Sequence, residues 1–595
     1  MGPMRRFRHA LFLLGCAASP VGVAAQASRL DSLDAYVRAQ MGERRIPGLS
    51  LAIIQDGRVA VARAYGVVDE TSHAPVTTAT LFQAGSISKP VSALGVLHLV
   101  EAGRVSLDGD VNATLTSWRV PGNGFTAVEK VTLRRLLSHS AGVTVHGFPG
   151  YDAGGPVPSL IQVLDGAPPA NTSPIRVDTT PGAIWRYSGG GFTIMQQMVI
   201  DVAGIPFPRF MEETVLGPIG MTSSSFEQPQ PPVRAALTAA GYYADRRPVR
   251  GRWHVYPEMA AAGLWTTATD LARFAIEIQE TLAGRGHGII SPSMARQYVT
   301  EQKGGSGLGI GVSGSGRTLS FSHGGRDEGF DAQLVAFAET GQGAAIMINA
   351  NDNSRFMRRI LDFVGRAWGW PREGSPADPA AAAGGARLPA AQLARFAGYY
   401  ETAENQMTTL VPSGDGAGLQ SLVDGLPDEI FVSLDSVRFG SVERGLRFAF
   451  TLNPAGAVTA AVLRPGEGPR EHRAPRVAPL PSSRSPAPDP DPALSTRITA
   501  ALDAIRQGGK ALADAERVTP GAKKDFGAGH DPVLEGLGAL TYLGEEDVSG
   551  RGIHRHGGDV ARVRYFAVTT PTGKRYLLVH LTAEGSLTDY DVVER

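Results

Sequence analysis

Cysteine is almost absent from this chain, since Cys16 is the only one among 595 residues. No internal disulfide can therefore form, and no residue beyond position 16 offers a thiol nucleophile. No Gly-x-Ser-x-Gly string occurs either, so a nucleophile elbow of the α/β-hydrolase kind has no candidate serine. Lys plus Arg equals Asp plus Glu, at 57 each, which excludes a chain-wide positive field for nucleic acid.

Long apolar runs are also missing, because no segment after the N-terminus approaches the roughly 18 apolar residues of a membrane helix. The N-terminus itself has the features of an export signal. Three arginines precede the short apolar stretch "ALFLLGCAAS", and small residues end at Ala25, so residues 1–25 are predicted to be a signal peptide. The string "LLGC" also resembles a lipoprotein signal, so an anchor on Cys16 is the alternative. We expect an exported protein, periplasmic or secreted.

Two segments rich in proline, alanine and glycine divide the remaining chain. They are "PREGSPADPAAAAGGARL" and "PRVAPLPSSRSPAPDPDPAL". The predicted organisation is a domain at 28–370, a linker at 371–388, a small all-β domain at 389–467, a Pro-rich linker at 468–493 and a C-terminal α+β module at 494–595.

The first domain is predicted to contain one antiparallel sheet built from distant parts of the sequence. Two apolar runs flank Asp56-Gly57, which is a strong hairpin signal. Two further strands, "AQLVAFAE" and "AAIMINA", lie far along the chain, and helical and loop segments fill the region between. We therefore expect an α+β fold in which helices flank the sheet and form an additional all-helical lobe.

The later regions are predicted from shorter patterns. Short alternating segments with turn signals between them predict a small barrel or sandwich at 389–467. One or two helices followed by a three-stranded meander are expected at 494–595. In that module His554-Arg555-His556 has no carboxylate or cysteine at a convincing metal spacing, so we interpret it as a solvated loop.

Ser86 and Lys89 form the only Ser-x-x-Lys string, and its meaning is ambiguous when taken alone. With 38 serines and seven lysines, random placement predicts roughly half a match. Ser86 or Ser88 could simply cap the following helix. However, a serine at a helix N-terminus has the lysine one turn along on the same face, where the helix dipole disfavours the ammonium form. A lysine in that place can activate a serine hydroxyl.

Two further segments carry candidate side chains. Tyr187 follows the Pro-Gly turn of "TPGAIWRYSGG", and His323 lies in "FSHGGRDEGF". Taken singly, a packing tyrosine and a turn histidine would explain them, and His139 in "LLSHSAG" is interpreted as structural. Together with "LFQAGSISKPVSALGVLHLVEAGRVSLDGDV", "VLGPIGMTSSSF" and "AAGLWTTATDLARFA", these segments resemble the serine β-lactamase-like superfamily. The resemblance covers residues 28–368 and is to the branch of class C β-lactamases, D-alanyl-D-alanine peptidases and family VIII esterases.

The resemblance implies a role for each matching residue. Ser86 would be the acylated nucleophile and Lys89 the partner that shares its proton. Tyr187 would be the general base for acylation and for the water of deacylation. The backbone N–H groups of Ser86 and Arg326 would form the oxyanion hole.

The substrate-binding positions depart from the family pattern. The motif Tyr-x-Asn becomes Tyr-x-Gly, because Gly189 stands where an asparagine usually contacts the substrate amide. His323 stands where many members carry the lysine of a Lys-Thr-Gly triad, and Gly325, two residues later, stands at the glycine of that triad. A histidine near its reference pKa is charged only below about pH 6.5. Both departures favour ester or unusual amide substrates over β-lactams.

These observations predict an exported serine hydrolase that acts through an acyl-enzyme, with esterase or D-amino-acid peptidase activity favoured over efficient β-lactam hydrolysis. No metal or organic cofactor is expected. The expected partner is a small-molecule or peptide substrate, with cell envelope as a second possibility, and neither nucleic acid nor membrane beyond a lipid on Cys16. The alternative is a penicillin-recognising or envelope-binding protein that does not turn over.

Overall fold

The computed structural model describes residues 20–371, 388–403, 406–414, 416, 418–423, 426–441, 446–464, 472–526, 534, 538–570 and 573–593. Cys16, most of the predicted signal peptide and most of the predicted linker at 371–388 lie outside these residues. Two units are present, Met1–Glu373 and Gly374–Arg595. Among the described residues, no helix combines the length and the apolarity needed to cross a bilayer.

The first unit contains the predicted antiparallel sheet with helices on both faces, so the predicted fold class is confirmed. Its strands are β1 Gly48–Gln55, β2 Arg58–Gly66, β3 Phe82–Gln83, β4 Tyr151–Asp152, β5 His254–Val255, β6 Trp265–Thr266, β7 Gly311–Ser313, β8 Ser320–Asp327, β9 Phe330–Phe337 and β10 Gly343–Ile348. The main sheet has the order β2-β1-β10-β9-β8-β7. The predicted hairpin turns at Asp56 and Gly57, which both have positive φ (54° and 67°), as a two-residue turn of this kind requires.

The first unit also contains helices, some of which cover the two faces of this sheet. They are α1 Pro20–Arg44, α2 Ser88–Glu101, α3 Gly124–Val128, α4 Leu133–Leu137, α5 Leu160–Asp165, α6 Gly189–Ala203, α7 Phe207–Met211, α8 Pro232–Ala235, α9 Met259–Ala262, α10 Ala268–Leu282, α11 Pro292–Tyr298 and α12 Phe356–Ala367. Successive residues of β1 alternate between two cores: Leu51 and Ile53 pack with α1 and α12, whereas Ala52 and Ile54 face the larger core that includes α2 and α10. The turn that precedes α2, Gly85–Ile87, packs on β8 and β9 and so joins the helix of the Ser-x-x-Lys string to the sheet.

The second unit begins with a short helix, α13 Ala390–Ala394, and a closed barrel of eight antiparallel strands. These strands are β11 Gly398–Ala403, β12 Gln406–Pro412, β13 Gly418–Val423, β14 Leu426–Ser433, β15 Arg438–Ser441, β16 Arg447–Leu452, β17 Val458–Arg464 and β18 His472–Ala478. A barrel was one of the two predicted forms. The interior is filled by aromatic rings, with Phe396 stacked on Phe450 at 4.5 Å and Phe439 on Phe448 at 5.8 Å.

The predicted boundary at 467 is wrong, because the barrel closes only with β18. That strand lies inside the segment that we expected to be a Pro-rich linker, 468–493. Pro475 lowers the strand signal of this stretch in the sequence. In the barrel it pairs in register with Ala460, and the ladder to β11 shifts register beside it, between Tyr399 and Tyr400.

The C-terminal module packs directly on the barrel. It has three helices where one or two were expected, α14 Pro492–Gln507, α15 Gly509–Asp514 and α16 Pro520–Phe526. A four-stranded sheet of order β19-β22-β23-β24 is formed by Thr541–Asp547, Arg562–Thr570, Gly573–Leu581 and Leu587–Val593; β20 His554–Arg555 and β21 Gly558–Asp559 make a separate hairpin. Helices cover one face of the sheet, and Tyr399 and Val477 of the barrel contact the other.

A buried ion cluster joins the barrel to this module. Arg555, only 1% exposed, lies 3.3 Å from Glu401 of the barrel and 3.5 Å from Asp589. His556 pairs with Asp589 and Asp525, and hydrogen bonds to these carboxylates raise its pKa to about 9. Our interpretation of residues 554–556 as a solvated loop is therefore wrong, since this segment is the ionic joint between two modules.

Candidate active site

Ser86 lies in a short 3₁₀ turn, Gly85–Ile87, that leads directly into α2. It is the one partly exposed residue in the otherwise buried stretch 81–90. Neither nearby serine caps the helix, because the N-cap residue is Ile87, which makes no side-chain hydrogen bond there. The Ser88 hydroxyl instead donates to the Gly85 carbonyl (2.6 Å) and accepts from the Leu264 N–H (2.9 Å). Ser88 is thus a structural residue, and Ser86 is the accessible hydroxyl.

Lys89 connects this serine to the helical lobe. Its Nζ donates to Ser86 Oγ at 2.9 Å and to the carbonyl of Ala261 in α9 at 2.8 Å. The side chain is 2% exposed, and Nζ lies 5.0 Å from the centre of the Tyr187 ring. Burial and two acceptors fix the amine in one position, so the lysine is oriented towards the serine before any substrate arrives.

Tyr187 is surrounded by imidazole rings. The rings of His139, His146 and His323 lie 4.3, 4.9 and 6.2 Å from its own. His139 Nδ1 accepts the backbone N–H of Ser188 at 3.2 Å, which holds the chain beside the tyrosine. Burial, reinforced by the charge of Lys89, holds the pKa of His139 well below its usual range and lowers that of His146. Both rings are therefore neutral near pH 7. Neither histidine adds a positive charge to that of Lys89.

Strand β8 brings a second backbone segment to the serine. A Cβ atom on Gly85, whose φ is 49°, would lie 2.4 Å from the backbone nitrogen of Arg326. A Cβ atom on Gly325 would lie 1.8 Å from the carbonyl oxygen of Ala84. Only glycine permits this approach on both sides. The Arg326 amide thus lies beside the nucleophile turn, while its guanidinium is turned to Asp331, with two bonds of 2.7 and 2.6 Å.

His323 is the other β8 residue near Tyr187. Its Nδ1–H donates to the Gly324 carbonyl at 2.6 Å, which leaves Nε2 as the acceptor of the ring. Burial and the positive charge of Lys89 lower the pKa of His323 to about 4. The sequence predicted that this histidine gains charge below about pH 6.5. The structure moves that transition far lower, so His323 offers a neutral imidazole to a substrate at physiological pH.

Gly189 begins α6, where the family motif has an asparagine. A Cβ atom there would lie 2.9 Å from the ring of Phe148 and 3.1 Å from the carbonyl oxygen of His146. Phe148 therefore occupies the space that a side chain at 189 would need. The sequence did not indicate Phe148 or His146 as site residues, because both lie in an irregular loop with no periodic pattern.

Two buried carboxyl groups lie on the elements that contact the serine and the lysine: Glu258 precedes α9, and Asp327 ends β8. Burial raises the pKa of Glu258 to about 8, and that of Asp327, the neighbour of Arg326, well above its usual range. No carboxyl oxygen of either has a hydrogen-bond partner among the described residues. Glu258 precedes α9, and its backbone carbonyl accepts from Ala261 at 3.0 Å. The backbone of Glu258 therefore supports the short helix that presents the Ala261 carbonyl to Lys89.

Among the residues that the structure describes, one group of side chains has the geometry of metal ligands, and it lies in the C-terminal module. His580, Asp589 and Asp591 bring one ligand atom each within 4.8 Å of one another. His580 Nε2 is already 2.6 Å from Asp591, and Asp589 pairs with Arg555 and His556. Arg555 and His556 therefore neutralise the carboxylate charge that a metal ion would need.

The geometry agrees with similarity to known proteins. A family model described as Beta-lactamase matches residues 33–367, more than half of the chain, so the chain belongs to that family. The fold described above is that of this family.

Individual relatives match over parts of their length. The chain is 28% identical over 214 residues to Esterase EstB of Burkholderia gladioli, covering 34% of this chain and 53% of that protein. It is 26% identical over 257 residues to Penicillin-binding protein 4 of Amycolatopsis lactamdurans (42% and 65%), and 28% identical over 245 residues to a Beta-lactamase of Pseudomonas fluorescens (41% and 62%). The matches thus span between about half and two thirds of these relatives.

A solved structure shares the fold. It is the octameric penicillin-binding protein homologue from Pyrococcus abyssi, with a TM-score of 0.51, 20% identity, and coverage of 73% of this chain and 96% of that one.

Proposed function

We propose that this protein is an exported serine hydrolase that cleaves ester or amide bonds through an acyl-enzyme on Ser86. The observation that carries the proposal is the contact of the buried Lys89 amine with Ser86 Oγ, at 2.9 Å. Within the family, the neutral His323 and the closed position 189 favour esterase or D-amino-acid peptidase action over efficient β-lactam hydrolysis.

The proposed reaction follows from the positions of three side chains. Tyr187 acts as the general base and takes the proton of Ser86 as the serine oxygen attacks the substrate carbonyl carbon, while the charged Lys89 holds that oxygen by its hydrogen bond. The backbone N–H groups of Ser86 and Arg326 stabilise the resulting oxyanion, and each donor of this kind contributes about 3–4 kcal/mol. The proton passes to the leaving alcohol or amine as its bond to the carbonyl carbon breaks. A water, deprotonated by Tyr187, then attacks the ester on Ser86, and the proton returns to the serine oxygen as the ester bond breaks and the acid is released.

The substrate preference rests on what the cleft no longer offers. An asparagine amide is absent at 189, and Phe148 fills its place, so an amide substrate loses one hydrogen-bonding partner. His323, with a pKa of about 4, cannot hold a substrate carboxylate by charge at neutral pH. An ester needs neither interaction for its carbonyl to reach Ser86.

Labelling and turnover test the proposal together. The full chain and Ser86→Ala would be incubated with a fluorophosphonate probe and with short-chain p-nitrophenyl esters, nitrocefin and D-Ala-D-Ala peptides. We expect labelling and ester turnover in the wild type and neither in the variant. Labelling without turnover of any substrate would instead support the alternative, a penicillin-recognising or envelope-binding protein. Absence of both from the wild type would refute the hydrolase.

Export is part of this proposal and has its own test. The first 25 residues have the composition of a signal peptide, with cleavage expected after Ala25. Mass spectrometry of the protein from cell fractions would show an N-terminus at Gln26. A mass increase by a lipid on Cys16, abolished by Cys16→Ser, would establish the membrane-anchored form. A cytoplasmic protein that retains Met1–Ala25 would contradict export.

A further inference from the structure

A cavity of about 440 Å³ opens beside the catalytic tyrosine. It is lined by residues 144–147, 172–174 and 176, and His146 links it to the site, since its ring lies 4.9 Å from that of Tyr187. Nothing in the proposed reaction uses this cavity. Its volume is sufficient for a small polar substituent of a substrate bound at Ser86.

The wall of the cavity is held rigidly to the catalytic segment. Thr144 and Arg176 exchange two hydrogen bonds of 2.8 Å each: the Thr144 N–H donates to the Arg176 carbonyl, and the Arg176 N–H donates to Thr144 Oγ1. The Thr144 carbonyl in turn accepts from the hydroxyl of Ser188, the residue after Tyr187, at 2.9 Å. Arg176 is therefore fixed in relation to Tyr187 through two hydrogen-bonded steps.

Arg176 supplies a permanent positive charge to this cavity. Its Nη1 donates to the backbone carbonyls of Ile175 (2.8 Å) and Leu164 (3.3 Å), which anchors one edge of the guanidinium. Nε and Nη2 have no acceptor within the described part of the chain, and no described carboxylate pairs with this arginine. His146, the other ionisable residue of the wall, is neutral near pH 7 because burial and Lys89 lower its pKa.

An anchored guanidinium with two free donor atoms, in a depression whose lining is otherwise largely apolar, is suited to a carboxylate, which it can bind through two parallel hydrogen bonds. Thr172 adds a buried hydroxyl that has no partner among the described residues. We propose that this cavity is a subsite for a carboxylate carried by the substrate. The inference rests on the proposed function, because it defines the chemical class of substrate that Ser86 would attack. In this protein the cation that recognises substrate is then Arg176, and the neutral His323 does not serve that purpose.

Three esters test whether the carboxylate belongs to the acyl group or to the leaving group of the substrate. p-Nitrophenyl acetate is neutral, mono-p-nitrophenyl glutarate carries the carboxylate on the acyl side, and 4-acetoxybenzoate carries it on the leaving group. Steady-state kinetics would be measured for the wild type, Arg176→Gln and Arg176→Lys. We expect Arg176→Gln to raise KM for one carboxylate ester about ten- to a hundredfold more than it raises KM for the neutral ester, as loss of a charge-assisted hydrogen bond predicts. Arg176→Lys should restore part of the effect.

The control is Arg119→Gln, because the Arg119 side chain likewise donates to a backbone carbonyl, that of Asn112, and lies on the surface. Equal changes in KM for all three esters would overturn the subsite. Saturation-transfer NMR of glutarate with Ser86→Ala, with and without Arg176→Gln, keeps this test independent of turnover. A wild type that is not labelled by the fluorophosphonate and turns over no substrate refutes the proposed function, whereas glutarate signals that are equal in the two variants refute the subsite. Thermal unfolding of Arg176→Gln checks that its fold is retained.

Discussion

The ring of Phe148 lies where a side chain on residue 189 would have to start, 2.9 Å from the Cβ position of Gly189. The absence of the family's asparagine at position 189 and the presence of the Phe148 ring therefore go together, because the ring occupies the space that the asparagine side chain would need. An amide-binding group has been exchanged for an apolar wall next to Tyr187. Restoring the asparagine alone would not restore its environment.

Gly189→Asn should therefore destabilise the protein. Forcing extra atoms into a packed site costs about 1–3 kcal/mol, and Phe148→Ala should relieve most of that cost in the double variant. Thermal or chemical unfolding of the four proteins gives the coupling energy between the two positions. If Gly189→Asn is as stable as the wild type, the ring does not limit this position. D-Ala-D-Ala peptidase activity that rises only in the double variant would further support the exchange.

Lys89→Met should abolish turnover while retaining the fold. The methionine is close in volume and removes the amine that contacts Ser86 at 2.9 Å, so we expect kcat to fall at least about a thousandfold. Ester hydrolysis and fluorophosphonate labelling measure the loss. Lys130→Met, at an exposed lysine that bonds only to the Thr126 carbonyl, is the control. Activity within tenfold of the wild type would mean that another group activates the serine.

Tyr187→Phe should lower kcat by about 10²- to 10⁴-fold with little change in KM. The ring contacts with His139 and His146 do not require the hydroxyl, so the variant should unfold at the wild-type temperature. A pre-steady-state burst would tell which step suffers. A slow burst indicates loss of acylation, and a normal burst followed by slow release indicates loss of deacylation. Unchanged kcat would remove Tyr187 from the mechanism.

Glu258 should make stability depend on pH. Its pKa rises from 4.5 when unfolded to about 8 when folded, so its contribution is complete below pH 4.5 and is lost as the pH rises towards 8. Relative to Glu258→Gln, the wild type should lose up to about 4–5 kcal/mol over this interval. Denaturant unfolding at pH 5, 6.5 and 8 measures the difference. Glu213→Gln, at a surface pair with Arg209, should show no such trend, and parallel curves for wild type and Glu258→Gln would disprove the buried titration.

Arg555→Met should destabilise the second unit without affecting Ser86 chemistry. The variant leaves Glu401 buried without its cation and leaves Asp589 with His556 alone, which costs about 3–5 kcal/mol. Unfolding followed by calorimetry should show one transition lowered, while the rate of ester hydrolysis stays the same. Lys510→Gln, which removes an exposed pair with Asp514, should change stability by less than about 1 kcal/mol. Equal effects of the two variants would contradict the ionic joint.

The elements that sequence patterns predicted well are those whose signal is local. The hairpin at Asp56-Gly57 and strands β9 and β10 follow from alternation and turn residues. Strand β8 was missed, because His323-Gly324-Gly325 is typical of a turn. It is a strand because it pairs with β9 along its whole length and with β7 on the other side, and Gly325 then permits its close approach to the Ala84 carbonyl.

Within the site, the family resemblance predicted which residues assemble but not their protonation or their neighbours. Ser86, Lys89, Tyr187 and His323 do come together. The low pKa of His323 depends on burial beside Lys89, which no string of residues reveals. Phe148 and the cavity at Arg176 depend on how irregular loops fold back on α6, and loops carry no periodicity from which this could be derived.

The pairing of β1 with β10 has a consequence for the order of biosynthesis. Leu49 pairs with Ile348, about 300 residues later, and the sheet's central contact therefore waits for almost all of the first unit to leave the ribosome. The contact between Gly85 and Arg326, which completes the catalytic turn, is delayed in the same way. A nascent or prematurely released chain therefore carries Ser86 and Lys89 without a formed site. Hydrolytic activity would therefore be acquired only after synthesis of the first unit has reached β10.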